Sequence, residues 1–114
     1  MFKNSSEIRD ALNEIIIYYD VLNGWVGNRG RVVAELVAEI LCPELNKGKH
    51  VPLSKYINYL RKREFCLSIL ESLETLKTLG NYASHVQGIS DKEKEIIVDN
   101  VIIIVDYTLK MKIE

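Results

Sequence analysis

The stretch Ser90-Asp91-Lys92-Glu93-Lys94-Glu95-Ile96-Ile97-Val98-Asp99-Asn100-Val101-Ile102-Ile103-Ile104-Val105-Asp106-Tyr107-Thr108-Leu109 decides the fold, because its Ile and Val content suits a strand as well as a helix. Ser90 and Glu93 have capping-box spacing, in which each side chain bonds the other residue's backbone amide at a helix start. Asp99 and Asn100 interrupt the strict alternation a strand needs, whereas Ile96, Ile97, Val101, Ile104, Val105 and Leu109 recur at helical spacing. The segment is about twenty residues long, and nothing before it offers a sheet to join. It reads as a helix.

Working back from it, the same periodicity marks the rest of the chain. Asn4 and Glu7 have capping-box spacing, and Ile8, Ala11, Leu12, Ile15, Ile16, Tyr19 and Leu22 form a first helix ending near Asn23-Gly24. Val32, Val33, Leu36, Val37, Ile40 and Leu41 mark a second, stopped by Pro43, which has no amide to donate. Residues 43–51, with Gly48, read as a loop, and Pro52 suits the first turn of a short helix carrying Leu53, Tyr56, Ile57 and Leu60. Ile69, Leu70, Leu73 and Leu76 carry another, and whether the chain bends near Arg63-Glu64 stays open. The fold class is all-α, an antiparallel bundle of four or five helices forming one domain over residues 1–114.

Composition excludes several classes. With 114 residues, 47% hydrophobic and 27% charged, 6 Gly and 2 Pro, the chain is no collagen, coiled-coil rod or disordered tail. The core is small enough that dimerisation would help it. Lys plus Arg number 15 against 16 Asp plus Glu, so no global basic field advertises nucleic acid, and any such signal must be local. Cys42 and Cys66 sit in apolar-periodic segments and read as reduced core thiols, which places the chain in the cytoplasm. The start, Met1-Phe2-Lys3-Asn4, lacks a signal-peptide pattern, and the apolar runs 15–19 and 101–105 are too short to span a membrane. No cofactor or metal is expected, since there is no Gly-rich phosphate loop and no His pair at metal spacing. Trp25 and Phe65 read as core plugs.

Two constellations remain. Lys47, Lys49, His50, Lys55, Arg61, Lys62 and Arg63 form a basic run with no carboxylate inside it, interleaved with Tyr56 and Tyr59. Cations beside aromatic faces suit a phosphate backbone and an unstacked base; the plainer alternative is a solvated helix face with its tyrosines in the core. The second is the row Lys77, Asn81 and His85, which share a face if the helix is continuous. There an imidazole could take a proton from a ribose 2′-hydroxyl while the Asn81 amide and the Lys77 ammonium orient and neutralise the phosphate. Alternatively Gly80-Asn81 ends the helix in a left-handed turn and His85 is structural.

Residues 76–85 resemble the signature of the HEPN superfamily, and more narrowly the branch known as domain of unknown function 4145, with its Leu-Arg-x-x-Gly-Asn-x-x-x-His pattern. Leu76, Lys77, Gly80, Asn81 and His85 carry the match, Arg31 and Glu35 match an upstream Arg-x-x-x-Glu, and the likeness covers about residues 25–112. The resemblance implies a helical bundle that commonly dimerises, often in prokaryotic or phage defence or toxin–antitoxin settings. Active members are metal-independent endoribonucleases. This chain departs at Gly80, where the ribonuclease arginine would stand, and at Lys77, which lacks the planar fork of arginine. The expectation is a non-catalytic or weakly catalytic module that forms a homodimer through the residue 80–85 face and binds RNA or a protein partner. Its catalytic candidates are His85, Asn81 and Lys77; its nucleic-acid contacts are Lys55, Arg61, Lys62, Arg63 and Arg31. The alternatives are an active metal-independent endoribonuclease with His85 as general base or acid, Asn81 orienting and Lys77, Arg29 or Arg31 stabilising phosphate, or a small interaction or inhibitor protein.

Overall fold

The computed structural model describes residues 3–45, 50–85 and 89–113, without the side chains of residues 3–5, 84, 85, 112 and 113. Five helices follow in order: α1 (Lys3–Tyr18), α2 (Asn23–Leu41), α3 (Leu53–Lys62), α4 (Leu67–His85) and α5 (Asp91–Ile113). No strand occurs among the described residues. The residue 90–109 stretch is a helix for the reasons its sequence gives. Ser90 N donates to Glu93 Oε1 at 2.8 Å and Glu93 N to Ser90 Oγ at 3.1 Å, closing the capping box. Ile97, Val101, Ile104 and Thr108 then bury a single stripe, and the Thr108 hydroxyl is satisfied by the Ile104 carbonyl at 2.8 Å.

α2 is the centre of the bundle and packs against each of the other helices. Val26, Val33, Ala34, Val37 and Ala38 on it are fully buried, and burying each valine contributes about 1.5–3 kcal/mol. Glycines set the helix spacing. A Cβ on Gly30 would lie 2.6 Å from Ile97 Cγ2, and one on Gly27 2.7 Å from Ala83 Cβ. Only a residue without a side chain lets α5 and α4 come this close. These neighbours, with the Glu14–Arg29 ion pair, show that α2 runs antiparallel to α1 and α4 and in the same direction as α5.

The bend left open by the sequence exists. Glu64 takes the left-handed conformation at φ 54°, Phe65 N donates to Leu60 O at 3.1 Å and Glu64 N to Arg61 O at 3.0 Å. This is a Schellman ending for α3 with a non-glycine at its strained position. Phe65 then packs edge-on to Tyr107, centroids 5.7 Å apart.

Several local expectations are corrected. α1 ends at Tyr18, and Asn23-Gly24 opens α2 instead of closing α1. The Asn23 amide donates to Ile89 O at 3.1 Å and Asp91 Oδ1 at 3.0 Å, tying the start of α2 to the start of α5. Asn4 lies inside α1, and its side chain is outside the described residues. Ile16 is exposed because, among the described residues, α2 is the one helix α1 packs on, and Leu22 is exposed at the N-cap of α2. Ile96 and Leu109 lie on the outer face of α5. Trp25 is 39% exposed, edge-on to Tyr18 and capped by the Arg29 guanidinium at 4.7 Å, so it is no core plug. Cys42 is buried, and burial pushes its thiol up to about 11. Cys66 is exposed ahead of α4, where Ser68 and the Ile69 amide favour its thiolate. Among the described residues no helix is long and apolar enough to cross a membrane.

Candidate functional site

Residue 31 follows the Gly30 contact on α2, so its side chain emerges where α2 meets α4. The Arg31 stem lies over Gly80, whose hypothetical Cβ would sit 2.5 Å from Arg31 Cβ, 3.1 Å from Cγ and 3.2 Å from Cδ. Passing over that bare backbone, the guanidinium donates from Nη1 to Asn81 Oδ1 at 2.8 Å. Arg31 Nε is withdrawn from solvent with no acceptor among the described residues. An unsatisfied donor of this kind costs roughly 1–3 kcal/mol unless something accepts from it.

α4 does not end at Gly80-Asn81; it continues to His85. Lys77 and Asn81 are therefore one turn apart on the same face, as expected, and the backbone of His85 stands a further turn along. The His85 side chain lies outside the described residues. Lys77 Nζ approaches Glu74 Oε1 at 3.3 Å, and the same oxygen meets Arg61 Nη2 at 3.9 Å.

Arg31, Lys77 and Asn81 share a cleft of about 480 Å³ between α2, α4 and the start of α3. Glu35, one turn beyond Arg31, lines it, as do His50 and residues 52–54. Pro52 occupies the N-cap of α3 without a side-chain cap; its carbonyl accepts from the Lys55 amide at 3.0 Å, and the amides of Leu53 and Ser54 precede the first intrahelical bond. They add partial positive charge to that wall. The cleft thus combines a guanidinium, an ammonium, an amide, an imidazole and a helix start around one carboxylate. That donor set fits an anion carrying further hydroxyl groups. Among the described residues no cluster of three His, Cys, Asp or Glu side chains could hold a metal ion.

No protein-family model, curated protein or solved structure matches the chain.

The other expected contacts are dispersed. Of the basic residues assigned to nucleic acid, Arg31 lines the cleft; Lys55 and Lys62 are exposed on α3 outside it. Arg61 lines a second cleft with Glu71 and Glu74 on the far side of the Glu74 ion pairs. Arg63 stacks on Tyr59 at 4.4 Å, while Glu44 accepts from the Tyr59 hydroxyl and is held below the usual carboxylate range by that bond. Tyr56 is buried, so it offers no face to a base. Lys47 and Lys49 lie outside the described residues. Arg29 is corrected: it pairs with Glu14 at 3.3 Å and with Asn28 Oδ1 at 2.7 Å, on the α1 side of α2 and away from the cleft. Gly80 is covered by Arg31, so of residues 80–83 only Asn81 and Tyr82 are exposed. The sequence reading missed Ser54 and the start of α3 as a wall, for which Pro52 ahead of a helix was the available signal.

Proposed function

We propose that this chain is a small helical RNA-binding module that grips a phosphodiester in the cleft between α2, α3 and α4. The observation that carries this is the Arg31 guanidinium, fixed to Asn81 through Nη1 and lining one cleft with the Lys77 ammonium. A guanidinium held by one Nη1 hydrogen keeps its charge and its remaining Nη hydrogens for phosphate oxygens, and charge-assisted bonds of this kind are about twice as strong as neutral ones. Glu35 in the same cleft is an acceptor, which suits a ribose hydroxyl and would repel a ligand that is phosphate alone. The likeness of residues 76–85 to the HEPN signature supports RNA as the polymer and a second copy of the chain as a partner.

A cleaving form of this reading is favoured by one observation, the unbroken course of α4, which lines up the backbones of Lys77, Asn81 and His85. The experiment is fluorescence anisotropy with a labelled single-stranded RNA across a salt series, gel analysis in EDTA, and light scattering on the same samples. Wild type should bind with affinity falling steeply in salt, and Arg31→Gln and Lys77→Gln should each weaken it by ~10-fold. EDTA-resistant cleavage lost in His85→Ala would establish catalysis. Absence of binding at low salt, or unchanged affinity in Arg31→Gln, overturns the proposal.

A further inference from the structure

The contact between α2 and α4 at residues 31 and 80 is unusual in which atoms it brings together. The atoms that crowd a side chain at position 80 are Cβ, Cγ and Cδ of Arg31, at 2.5, 3.1 and 3.2 Å. The nearest is the root of the side chain, which cannot swing aside as a flexible tip can. Glycine is therefore required at position 80 for as long as any residue bearing a Cβ occupies position 31. The volume between the helices holds one stem, and that stem ends on Asn81, the residue next to Gly80.

We infer that positions 31 and 80 form a single side-chain slot, filled once, and that Gly80 is a positioning residue that lets α2 deliver the arginine of the cleft across α4. The arginine belongs to the slot rather than to the helix, and a stem rooted on α4 would fill the same space. The functional half of this rests on the RNA-binding reading; the steric half does not.

The test exchanges the two residues. Gly80→Arg alone should lower the melting temperature sharply, because two stems compete for one volume, and Gly80→Ala should do so to a smaller extent. The double variant Arg31→Gly with Gly80→Arg restores one glycine and one stem. It should melt close to wild type and bind the labelled single-stranded RNA at least ~10-fold more tightly than the control double variant Arg31→Gly with Gly80→Ala, which fills the slot without a cation. If Gly80→Arg destabilises the Arg31→Gly background as much as the wild type, the shared slot is wrong. Wild-type-like melting of the exchanged variant, with RNA affinity no better than the control, removes the delivery role of Gly80. Should wild type bind no RNA, the function proposed above fails, and the melting comparison still decides the slot.

Discussion

Arg31 on α2 and Asn81 on α4 are joined by a 2.8 Å hydrogen bond that holds the guanidinium by Nη1 across the junction of the two helices. Asn81 is exposed, so the bond contributes little to folding and much to orientation. Asn81→Ala should leave the melting temperature within a few degrees of wild type and weaken RNA binding several-fold. Asn81→Asp should weaken it further, because a carboxylate there competes with phosphate for the arginine. Calorimetry and anisotropy on the same preparations check both outcomes.

Glu74 occupies the opposite position in the electrostatics. Its Oε1 is shared by Lys77 at 3.3 Å and Arg61 at 3.9 Å, so it neutralises two cations that would otherwise meet an RNA backbone. Glu74→Gln should therefore tighten RNA binding by about 2- to 5-fold and steepen its salt dependence, at small cost to stability for a solvent-screened pair. Weaker binding would show that Glu74 positions Lys77 instead of masking it.

At the end of α3, Glu64 carries a left-handed backbone at φ 54° where glycine is the unstrained choice. Glu64→Gly should stabilise the fold by ~1 kcal/mol in urea unfolding, with no change in the slope of the transition.

The glycines of α2 divide by what surrounds them. Gly30→Ala drives a Cβ to 2.6 Å from Ile97 Cγ2 in the fully buried core and should cost roughly 1–3 kcal/mol. At Gly24 the nearest atom is Ala83 O at 3.8 Å, so Gly24→Ala should be neutral or stabilising by up to ~1 kcal/mol. Equal effects in denaturant would mean the helices are not as closely apposed as described.

Acid sensitivity should be traceable to the start of α5. Asn23 donates to Asp91, and with Lys94 it holds that carboxyl below its ordinary value of 3.8. A depressed folded value contributes stability that is present above the unfolded value and is lost as pH falls through the folded one. The difference in stability between wild type and Asp91→Asn should therefore be constant near neutrality and shrink below about pH 4. Lys94, buried, donates to Tyr19 O at 2.8 Å and anchors the same corner.

Periodicity and caps made most of the fold legible. The Ser90–Glu93 box and the stripe through Ile97, Val101 and Ile104 could be read directly because both are local in sequence. Exposure was harder. Ile16, Ile96 and Leu109 obey helical spacing yet face outward, because periodicity cannot say how many neighbours a helix has; among the described residues α1 packs on one helix and α5 on two. Cys66 looked like core because the break at Glu64, which turns it out, depends on a positive φ that a glutamate does not announce. Lys77 and Asn81 were legible as a pair, being one turn apart on α4. The crossing of Arg31 over Gly80 was not, since it depends on which helices meet and at what height.

The most direct measurement is the ¹H–¹⁵N spectrum of the arginine Nε–Hε groups during titration with a short single-stranded RNA, the Arg31 signal being assigned by its loss in Arg31→Lys. A shift of that signal, saturating with the same affinity as anisotropy, is the predicted result. An Arg31 signal that stays in place while those of Arg61 and Arg63 move would contradict the cleft as the site where RNA is held.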